Sequence, residues 1–133
     1  MDLRRHYLAY LDTLNERRFD DLVEYVADRL TYNERPTTLQ GYRDLLEGDV
    51  AAIPDLRFDV GILVVSDDRV ACRIDFDCTP VAPFPGFDPP GHSLRFSEHV
   101  FYRFSGHRIV EVHSLIDREA IRDQLSPPVS EDD

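Results

Sequence analysis

The hydrophobic positions in the first half of the chain recur at the spacing of amphipathic helices. One run predicts a helix with Leu3, Tyr7, Leu8, Leu11 and Leu14 on one face. After a polar link at 15–18, a second run predicts another helix, with Phe19, Leu22, Val23, Val26 and Leu30 on its face. A third helix is predicted to begin with a capping box of Thr37 and Gln40 and to end at Pro54. Its predicted face consists of Tyr42, Leu45, Leu46 and Val50.

The hydrophobic positions in the second half alternate with polar ones, as in strands with one buried face. The alternation predicts four strands, at 56–64, 70–78, 94–104 and 109–116. Residues 80–92 are rich in Pro and Gly and are predicted to form a loop. A short helix is expected at 118–125, followed by an acidic tail, 126–133, that is expected to be disordered.

Helices followed by a meander of strands are typical of a segregated α+β fold. Hairpin turns at 66–69 and 105–107 predict an antiparallel sheet with one face packed on the helices. The length of 133 residues is that of one domain. We therefore expect a single domain over residues 1–125 and a tail over 126–133.

The charge of the chain excludes several classes of partner. It has 26 acidic and 15 basic residues, a net charge of −11, and every basic residue is arginine. Such a surface repels phosphate backbones and anionic membranes, so we expect neither nucleic acid nor membrane as a partner. The absence of lysine fits either a GC-rich genome or a cytoplasm of high salt concentration.

No segment indicates a membrane span, an export signal or a bound cofactor. No apolar run reaches the roughly 18 residues of a transmembrane helix, and the first residues lead into a patterned segment, so a cytoplasmic protein is expected. Cys72 and Cys78 lie about 20 Å apart on one predicted strand, too far for a disulfide. Because zinc-ligand spacing and a glycine-rich phosphate loop are both missing, we expect no metal and no cofactor.

Glu98 is the first candidate for chemistry. It shares a face of the predicted strand 94–104 with five apolar or aromatic residues, Leu94, Phe96, Val100, Tyr102 and Phe104. A carboxyl group in apolar surroundings is either paired or has a raised pKa, and either state suits acid–base catalysis. The alternative is a structural glutamate that pairs with an arginine of the next strand.

Arg73 and Asp75 form a second candidate pair. They share one face of the strand 70–78 and lie about 6.6 Å apart along it. Such a pair could hold an oriented carboxylate for a water or a substrate C–H, with the guanidinium group fixing it. The alternative is a charged strand face in water.

Other polar and aromatic residues are weaker candidates. Tyr32 and Asn33, between the second and third predicted helices, could hydrogen-bond a ligand oxygen or simply form a turn. Phe84 and Phe87 lie in the loop 80–92, and a loop of this length is often a lid over a site or else a rigid connector.

The strand 109–116 carries His113 and Ser114, followed by Asp117. Neighbouring residues of a strand point to opposite faces, which excludes a Ser–His–Asp nucleophile set. Asp117 is expected to be the N-cap of the last helix.

The chain resembles the SnoaL-like polyketide cyclases and predicted ester cyclases of the nuclear-transport-factor-2-like superfamily. The matching segments cover nearly the whole chain in order and are 41–43, 53–58, 84–86, 90–92, 100–104, 108–111 and 124–125. The resemblance implies N-terminal helices packed on a strongly curved antiparallel sheet, a cone with an internal cavity, and a homodimer formed through the sheets.

The resemblance also bears on the site. It implies that the catalytic His and late Asp of the polyketide cyclases fall at Val100 and Ser114, so that both are replaced here. The limonene-epoxide-hydrolase branch is similar in its Arg-x-Asp and Asn, at 73–75 and Asn33, but its late Asp also falls at Ser114. Both alignments place the following on the cavity side: Arg73, Asp75, Glu98, Tyr102 and Ser114.

The function expected from these residues is cofactor-independent acid–base catalysis on a small, mostly apolar organic molecule, such as cyclisation, isomerisation or hydration. Asp75 or Glu98 would be the base and Arg73 its partner. Substrate-binding positions would be Tyr32, Asn33, Phe84, Phe87, Tyr102 and Ser114. Two alternatives remain, a binding protein of the same fold without catalysis and a dimerisation domain whose own side chains fill the cavity.

Overall fold

The computed structural model describes residues 1–84 and 86–125, so the predicted tail 126–133 lies outside the described residues. The elements, in chain order, are α1 (Leu3–Asn15), a 3₁₀ helix (Phe19–Glu24), β1 (Val26–Tyr32), β2 (Arg35–Thr38), α2 (Leu39–Ala52), β3 (Asp59–Ser66), β4 (Arg69–Cys78), β5 (Leu94–Ser105), β6 (Arg108–Ile116) and α3 (Arg118–Leu125). None of the helices in these ranges is long and apolar enough to cross a membrane.

The strands form one curved, open sheet in the order β2-β1-β6-β5-β4-β3. Strands β3 to β6 follow one another as an antiparallel meander, as predicted. The prediction of a fully antiparallel sheet is wrong for one pair, because β1 runs parallel to β6. A parallel pair needs a long crossover, and the segment from β2 to β5 supplies it.

The second predicted helix is wrong. Its residues form the 3₁₀ helix and then strand β1, which makes a hairpin with β2. The register of β1 against β6 shifts between Val26 and Thr31. Val26 and Leu30 share one face of the strand and are both buried at a spacing of four, which imitates a helix face. Val23, which the helix would have buried, is exposed.

The third predicted helix exists, but its cap lies one residue later. Thr38 is the N-cap of α2, and its side chain accepts a hydrogen bond of 3.1 Å from the backbone N–H of Gly41. Thr37 belongs to β2, and the side chain of Gln40 donates to Asp44 instead of closing a capping box. The pairing of β2 with β1 therefore determines where the helix begins.

Strand β3 departs from its predicted alternation at Gly61. The register of β3 against β4 shifts between Val60 and Ile62, which marks a β-bulge at the glycine. Beyond the bulge, Ile62 and Val64 are exposed, whereas Leu63 and Val65 pack against the core. The prediction that Ile62 and Val64 face the core is therefore wrong, whereas Val60, opposite Ile74, keeps its predicted side of the sheet.

Helices α1 and α2 cover one side of the sheet, here called the inner face, and the opposite side is called the outer face. Helix α1 buries Tyr7, Tyr10 and Leu14, and the Tyr7 ring lies 5.0 Å from the ring of Tyr102 on β5. Alternating side chains of β4 and β5, among them Ile74, complete the core. The segregated α+β architecture is confirmed.

Helix α3 follows directly after strand β6 in the chain. Asp117 caps it, accepting a hydrogen bond from the backbone N–H of Ala120, as predicted. The side-chain amide of Gln124 accepts from the backbone N–H of Arg95 at 2.7 Å and donates to the carbonyl oxygen of the same residue. One side chain thus takes the place of a neighbouring strand along β5.

Candidate functional site

The inner face of β5 places Glu98 between two aromatic groups. On one side, phenylalanine rings pack in series: Phe58 on Phe76 at 5.6 Å, Phe76 on Phe96 at 5.1 Å and Phe84 on Phe96 at 6.2 Å. On the other side lie the buried tyrosines Tyr7, Tyr10, Tyr42 and Tyr102. Strand alternation produces this arrangement, because every second residue of β5 faces inward.

The carboxyl group of Glu98 has one hydrogen-bond donor among the described side chains. The hydroxyl group of Ser114 on β6 donates to its Oε2. Burial raises the pKa of Glu98, the hydrogen bond from Ser114 lowers it, and the nearby carboxylate of Asp49 raises it further. Part of the side chain still reaches solvent, so a ligand can approach it.

Ser114 is held in place by the β1–β2 turn. The side-chain oxygen of Asn33 accepts a 2.8 Å hydrogen bond from the backbone N–H of Ser114. Asn33 has a φ of 48°, in the left-handed region that asparagine tolerates better than most residues. Its amide oxygen therefore fixes the strand rather than facing a ligand, and the predicted turn role is the one the geometry favours.

Tyr32 adds a second hydroxyl group near Ser114. Burial raises the pKa of Tyr32, and the interaction with Ser114 lowers it in part. The Tyr32 hydroxyl group therefore stays protonated at neutral pH.

The tyrosine hydroxyl groups deeper in the molecule bond one another. Tyr10 and Tyr42 share a 2.6 Å hydrogen bond, and Tyr7 donates to Tyr102 at 3.4 Å. Burial raises the pKa of all four phenols. Tyr102, predicted to bind substrate, is thus a buried wall residue with its hydroxyl group already paired.

Asp49 of α2 was not among the candidates predicted from the sequence. It is half-buried, and burial raises its pKa to about 6. The charge of Asp49 raises the pKa of both Glu98 and Tyr32. The sequence did contain a signal, because Asp49 lies three residues after Leu46 and seven after Tyr42, on the buried stripe of the helix.

The structure separates Arg73 and Asp75 from Glu98. In the β4–β5 register Ile74 is opposite Glu98, so Arg73 and Asp75 point to the outer face. The expectation that they share the cavity side with Glu98 is wrong, because two adjacent strands align by register and not by residue parity. They form a 2.9 Å ion pair with each other, and 48% of each side chain is exposed.

A solvent-open groove of about 410 Å³ on the outer face is lined in part by this ion pair. Its charged groups pair among themselves, as Arg73 does with Asp75 and Arg95 with Asp77 at 3.2 Å. The Asp75 carboxylate also lies over the bulge, 2.3 Å from where a Cβ on Gly61 would be. These contacts explain the pair structurally, and we regard the inner face as the better candidate site.

The loop between β4 and β5 folds over the phenylalanine group. Phe84 is buried and is joined to Phe87 by a short β-bridge. Phe87 is half-buried, with the guanidinium group of Arg118 lying 5.7 Å from its ring centre. A hydrogen bond of 2.8 Å from Val81 N–H to the carbonyl oxygen of Ala52 ties the loop to the end of α2.

Metal binding has no support in residues 1–84 and 86–125, which contain no group of three or more His, Cys, Asp or Glu side chains suited to a metal ion. Cys72 and Cys78 are free and buried, in line with the prediction that they form no disulfide. The inner face instead offers the carboxyl group of Glu98 with its hydrogen bond from Ser114, the half-buried carboxyl group of Asp49, and two groups of aromatic side chains. This set is suited to moving protons on an apolar molecule.

The family model of SnoaL-like polyketide cyclases matches residues 4–125. The chain belongs to this family. A SnoaL-like polyketide cyclase from Agrobacterium tumefaciens is 47% identical, over 95% of this chain and 99% of that one, with a TM-score of 0.91. No curated protein matches the chain.

More distant solved structures share the fold. IdmH of Streptomyces antibioticus is 20% identical over 94% of this chain and 99% of its own, with a TM-score of 0.81. TsrD of Streptomyces laurentii is 20% identical over 93% and 92% of the two chains, with a TM-score of 0.76. The resemblance to the SnoaL-like cyclases and the nuclear-transport-factor-2-like cone fold that it implied are both confirmed.

Proposed function

We propose that this SnoaL-like protein is a cofactor-independent acid–base enzyme and that Glu98 is its base. The observation that carries the proposal is a single carboxyl group on the apolar inner face of β5, supported by a hydrogen bond from Ser114. Buried carboxyl groups with raised pKa values and specific partners cluster at functional sites. The catalytic role predicted for Arg73 and Asp75 is dropped from the proposal, because both lie on the outer face.

The reaction we propose begins with proton abstraction beside a carbonyl group. The carboxylate of Glu98 takes the proton from carbon, the C–H electron pair forms the enolate, and Glu98 becomes the neutral acid. Return of that proton to another carbon gives an isomer. Attack of the enolate on a second carbonyl carbon gives a ring, and the oxygen of that carbonyl group, which receives its π electron pair, takes the proton back from Glu98. Tyr32 is a protonated hydroxyl group beside the site that can donate to the enolate oxygen.

The aromatic side chains on both sides of Glu98 indicate the class of substrate. The phenylalanine group and the tyrosine group offer apolar ring surfaces on both sides of Glu98, and the loop residue Phe84 closes one end. Offset stacking of aromatic rings favours flat, unsaturated molecules. We therefore propose a small, mostly apolar, planar ketone or lactone as the substrate.

The positions to which the resemblance assigns the catalytic His and Asp support a base at a different residue in this chain. Val100 and Ser114, where the resemblance places the His and Asp of the polyketide cyclases, are direct partners across β5 and β6. Glu98 is the inward-facing residue of β5 that precedes Val100, and Ser114 contacts it directly. The carboxyl group of this chain thus lies one inward position from the family's site.

Deuterium exchange at carbon tests the proposal without knowledge of the natural substrate. The probe is 2-tetralone, a bicyclic ketone with acidic protons beside its carbonyl group, incubated in D₂O and followed by NMR. The wild type should accelerate exchange, and Glu98→Gln should lower the rate by at least about 10²-fold. Asp75→Asn is the matched control, and it should exchange at the wild-type rate because Asp75 lies on the outer face.

Equal loss of exchange in both variants, or no loss in Glu98→Gln, would contradict the assignment of the base. A library of polycyclic ketones, lactones and epoxides should also be screened by thermal unfolding, since a ligand of the native state raises the melting temperature. Ligands that bind without exchange or conversion would favour the alternative, a non-catalytic small-molecule binding protein. Replacement of the family's His and Asp by Val100 and Ser114 is the observation that favours that alternative.

We further propose that the protein is a homodimer formed through its outer sheet face. Large apolar side chains are exposed there on three strands: Ile62, Val64, Phe101 and Leu115. Such contiguous exposed apolar surface marks interaction sites. The cytoplasmic location expected from the sequence stays a prediction.

A further inference from the structure

The turn between β1 and β2 places one side chain against strand β6. Tyr32 pairs with Arg35, so the turn has two central residues, Asn33 and Glu34, with φ values of 48° and 70°. Two-residue hairpin turns with positive φ at both positions favour asparagine at the first, whereas glutamate adopts a positive φ only rarely. The backbone turns away from β6 after Asn33, but the Asn33 side chain remains beside that strand.

The side-chain oxygen of Asn33 takes the place of a backbone carbonyl group in the sheet. Strands β1 and β6 run parallel, and the backbone N–H of Asn33 donates to the carbonyl oxygen of Val112 at 2.9 Å. In a regular parallel ladder the next bond would join the N–H of Ser114 to the backbone carbonyl of Asn33. That N–H donates instead to Oδ1 of Asn33, at 2.8 Å. The amide side chain thus extends the ladder by one bond beyond Tyr32, where β1 ends.

This bond supports the backbone of the residue that contacts Glu98. Ser114 is opposite Val100 of β5, but its N–H points to the β1 side. The N–H and C=O of one strand residue point to the same side, so the backbone of Ser114 bonds toward β1 rather than toward β5. The Ser114 hydroxyl group meanwhile donates to Oε2 of Glu98. The direction of that hydroxyl group therefore depends on support from the β1 side.

We propose that Asn33 is a positioning residue for Glu98, which holds Ser114 so that its hydroxyl group donates to the carboxylate. The inference rests on the base role proposed above and adds a residue to it. Glu98 itself is held in β5 by pairing with Ile74 of β4 and Ile116 of β6. Asn33 therefore sets the hydrogen bond that Glu98 receives and not the place of Glu98 in the sheet.

A glycine at position 33 separates this role from ordinary turn chemistry. Asparagine suits the turn because it tolerates a positive φ, and that alone would explain its presence. Glycine adopts the same φ without strain, so Asn33→Gly keeps the turn and removes the side-chain oxygen. A turn residue can be replaced in this way without an effect on Glu98, whereas a positioning residue cannot.

The first experiment titrates Glu98 in the protein without a ligand. Glutamate ¹³C-carboxyl signals are followed by NMR in the wild type, Asn33→Gly and Ser114→Ala, and the Glu98 signal is assigned by its loss in Glu98→Gln. The hydrogen bond from Ser114 lowers the pKa of Glu98, so both variants should shift its titration to higher pH. Glu34→Gly changes the other central residue of the turn and should leave the titration unchanged. An unchanged titration in Asn33→Gly would overturn the inference.

Other titratable groups interact with Glu98 and are left intact in Asn33→Gly and Ser114→Ala. They are Tyr10 of α1, Tyr42 and Asp49 of α2, Tyr32 of β1, Cys72 of β4 and Tyr102 of β5. Burial raises the pKa of the tyrosines and of the thiol, so these groups stay neutral in the titrated range. A double variant then isolates the contribution of Ser114.

The double variant tests whether Asn33 acts through Ser114. In the Ser114→Ala background, Asn33→Gly should add no further shift to the titration of Glu98, because both changes break the same path. A shift of equal size in the two backgrounds would show that Asn33 affects Glu98 by another route. That outcome would contradict the proposed role.

The second experiment measures 2-tetralone exchange against pH. Asn33→Gly should lower kcat about 10-fold and change KM by less than about 2-fold, because the residue acts on the base and not on the substrate. The rising part of its pH profile should move to higher pH together with the Glu98 titration. Asn33→Asp keeps an oxygen acceptor and tolerates the turn, so it should retain about half of the wild-type kcat or more.

Equal losses of kcat in Asn33→Gly and Asn33→Asp would contradict the need for an acceptor at this position. Absence of exchange in the wild type would remove the proposed enzyme function. The titration without a ligand would still decide whether Asn33 supports Glu98 through Ser114, so the two failures are distinguishable.

Discussion

At the scale of single residues, two inward carboxyl groups distinguish this chain from an ordinary packed α+β domain. Glu98 and Asp49 both have pKa values raised by burial. Ionising either one in the folded protein therefore costs more free energy than in the unfolded chain. The folded state tolerates this cost because the deeper polar groups, the tyrosine hydroxyls, are paired with one another.

Asp49→Asn should make the protein more stable at neutral pH. The pKa of Asp49 is raised from 3.8 to about 6 on folding, so the native state binds more protons than the unfolded state between these values. The free energy of unfolding then falls as pH rises from about 4 to about 6, by roughly 2 kcal/mol from this group. Urea unfolding of the wild type and the variant at pH 4 and pH 7 measures the difference.

The stability gain should be small at pH 4, where Asp49 is protonated in the folded state and still partly protonated in the unfolded state, and larger at pH 7. Asp44→Asn serves as the control, since Asp44 is exposed and should show no such pH-dependent gain. An equal effect of Asp49→Asn at the two pH values would show that Asp49 is not a carboxyl group of raised pKa.

Sequence reasoning identified some of these residues and missed others for physical reasons. Glu98 was predicted because alternation within one strand shows its face directly. Arg73 and Asp75 were assigned to the same cavity because the register between two strands, which places Ile74 opposite Glu98, is not readable from either strand alone. Asp49 was missed because the helix face was defined by its apolar members, which left a carboxyl group on the same stripe unnoticed.

At the scale of secondary-structure elements, the regular strands were predictable and the irregular ones were not. Strands β4, β5 and β6 and helix α3 lie close to their predicted bounds because uninterrupted periodicity specifies them. Strand β1 has a register shift against β6, and β3 has one against β4. The shift in β3 reverses its alternation beyond Gly61, so β3 shows the wrong face. In β1 the buried Val26 and Leu30 lie four residues apart, which imitates a helix face.

Gln124→Ala should destabilise the protein through the edge of β5. The change removes both hydrogen bonds to the backbone of Arg95 and leaves its N–H and carbonyl groups to water. Because this edge is partly open to solvent, we expect a loss of about 1 kcal/mol in the free energy of unfolding. Urea unfolding monitored by circular dichroism measures it.

Gln40→Ala is the matched control, because the amide group of Gln40 bonds only the exposed side chain of Asp44. It should change the free energy of unfolding by less than about 0.5 kcal/mol. Gln124→Glu keeps the acceptor and loses the donor, so it should fall between the wild type and Gln124→Ala. Equal stability of all four proteins would show that the edge contact contributes nothing.

At the scale of the whole molecule, the two faces of the sheet differ in character. The inner face holds the carboxyl groups and aromatic walls of the candidate site, whereas the outer face exposes Ile62, Val64, Phe101 and Leu115. With a net charge of −11, two copies repel each other at long range, so apolar contact has to supply the attraction between them. Dimerisation through this face should therefore strengthen with salt concentration.

Phe101→Glu should convert the proposed dimer to a monomer. The side chain of Phe101 is 59% exposed at the centre of the outer face, and a charge there would be buried on association. Light scattering coupled to size exclusion measures the mass at several protein concentrations. Val81→Glu is the control, since Val81 is equally exposed but lies in the loop after β4, and a monomeric wild type would contradict the proposal.

The bulge at Gly61 determines which side chains of β3 face the core and which face solvent. If Gly61 took part in regular alternation instead of a bulge, Ile62 and Val64 would turn toward the core and Leu63 and Val65 toward solvent. A Cβ at this position would meet the Asp75 carboxylate in the present arrangement. The bulge thus absorbs one residue of chain length: loss of Gly61 would keep Val60 inward and Ile62 outward, so the exposed side of this edge strand would survive the deletion and the candidate interior on β5 and β6 would stay as it was.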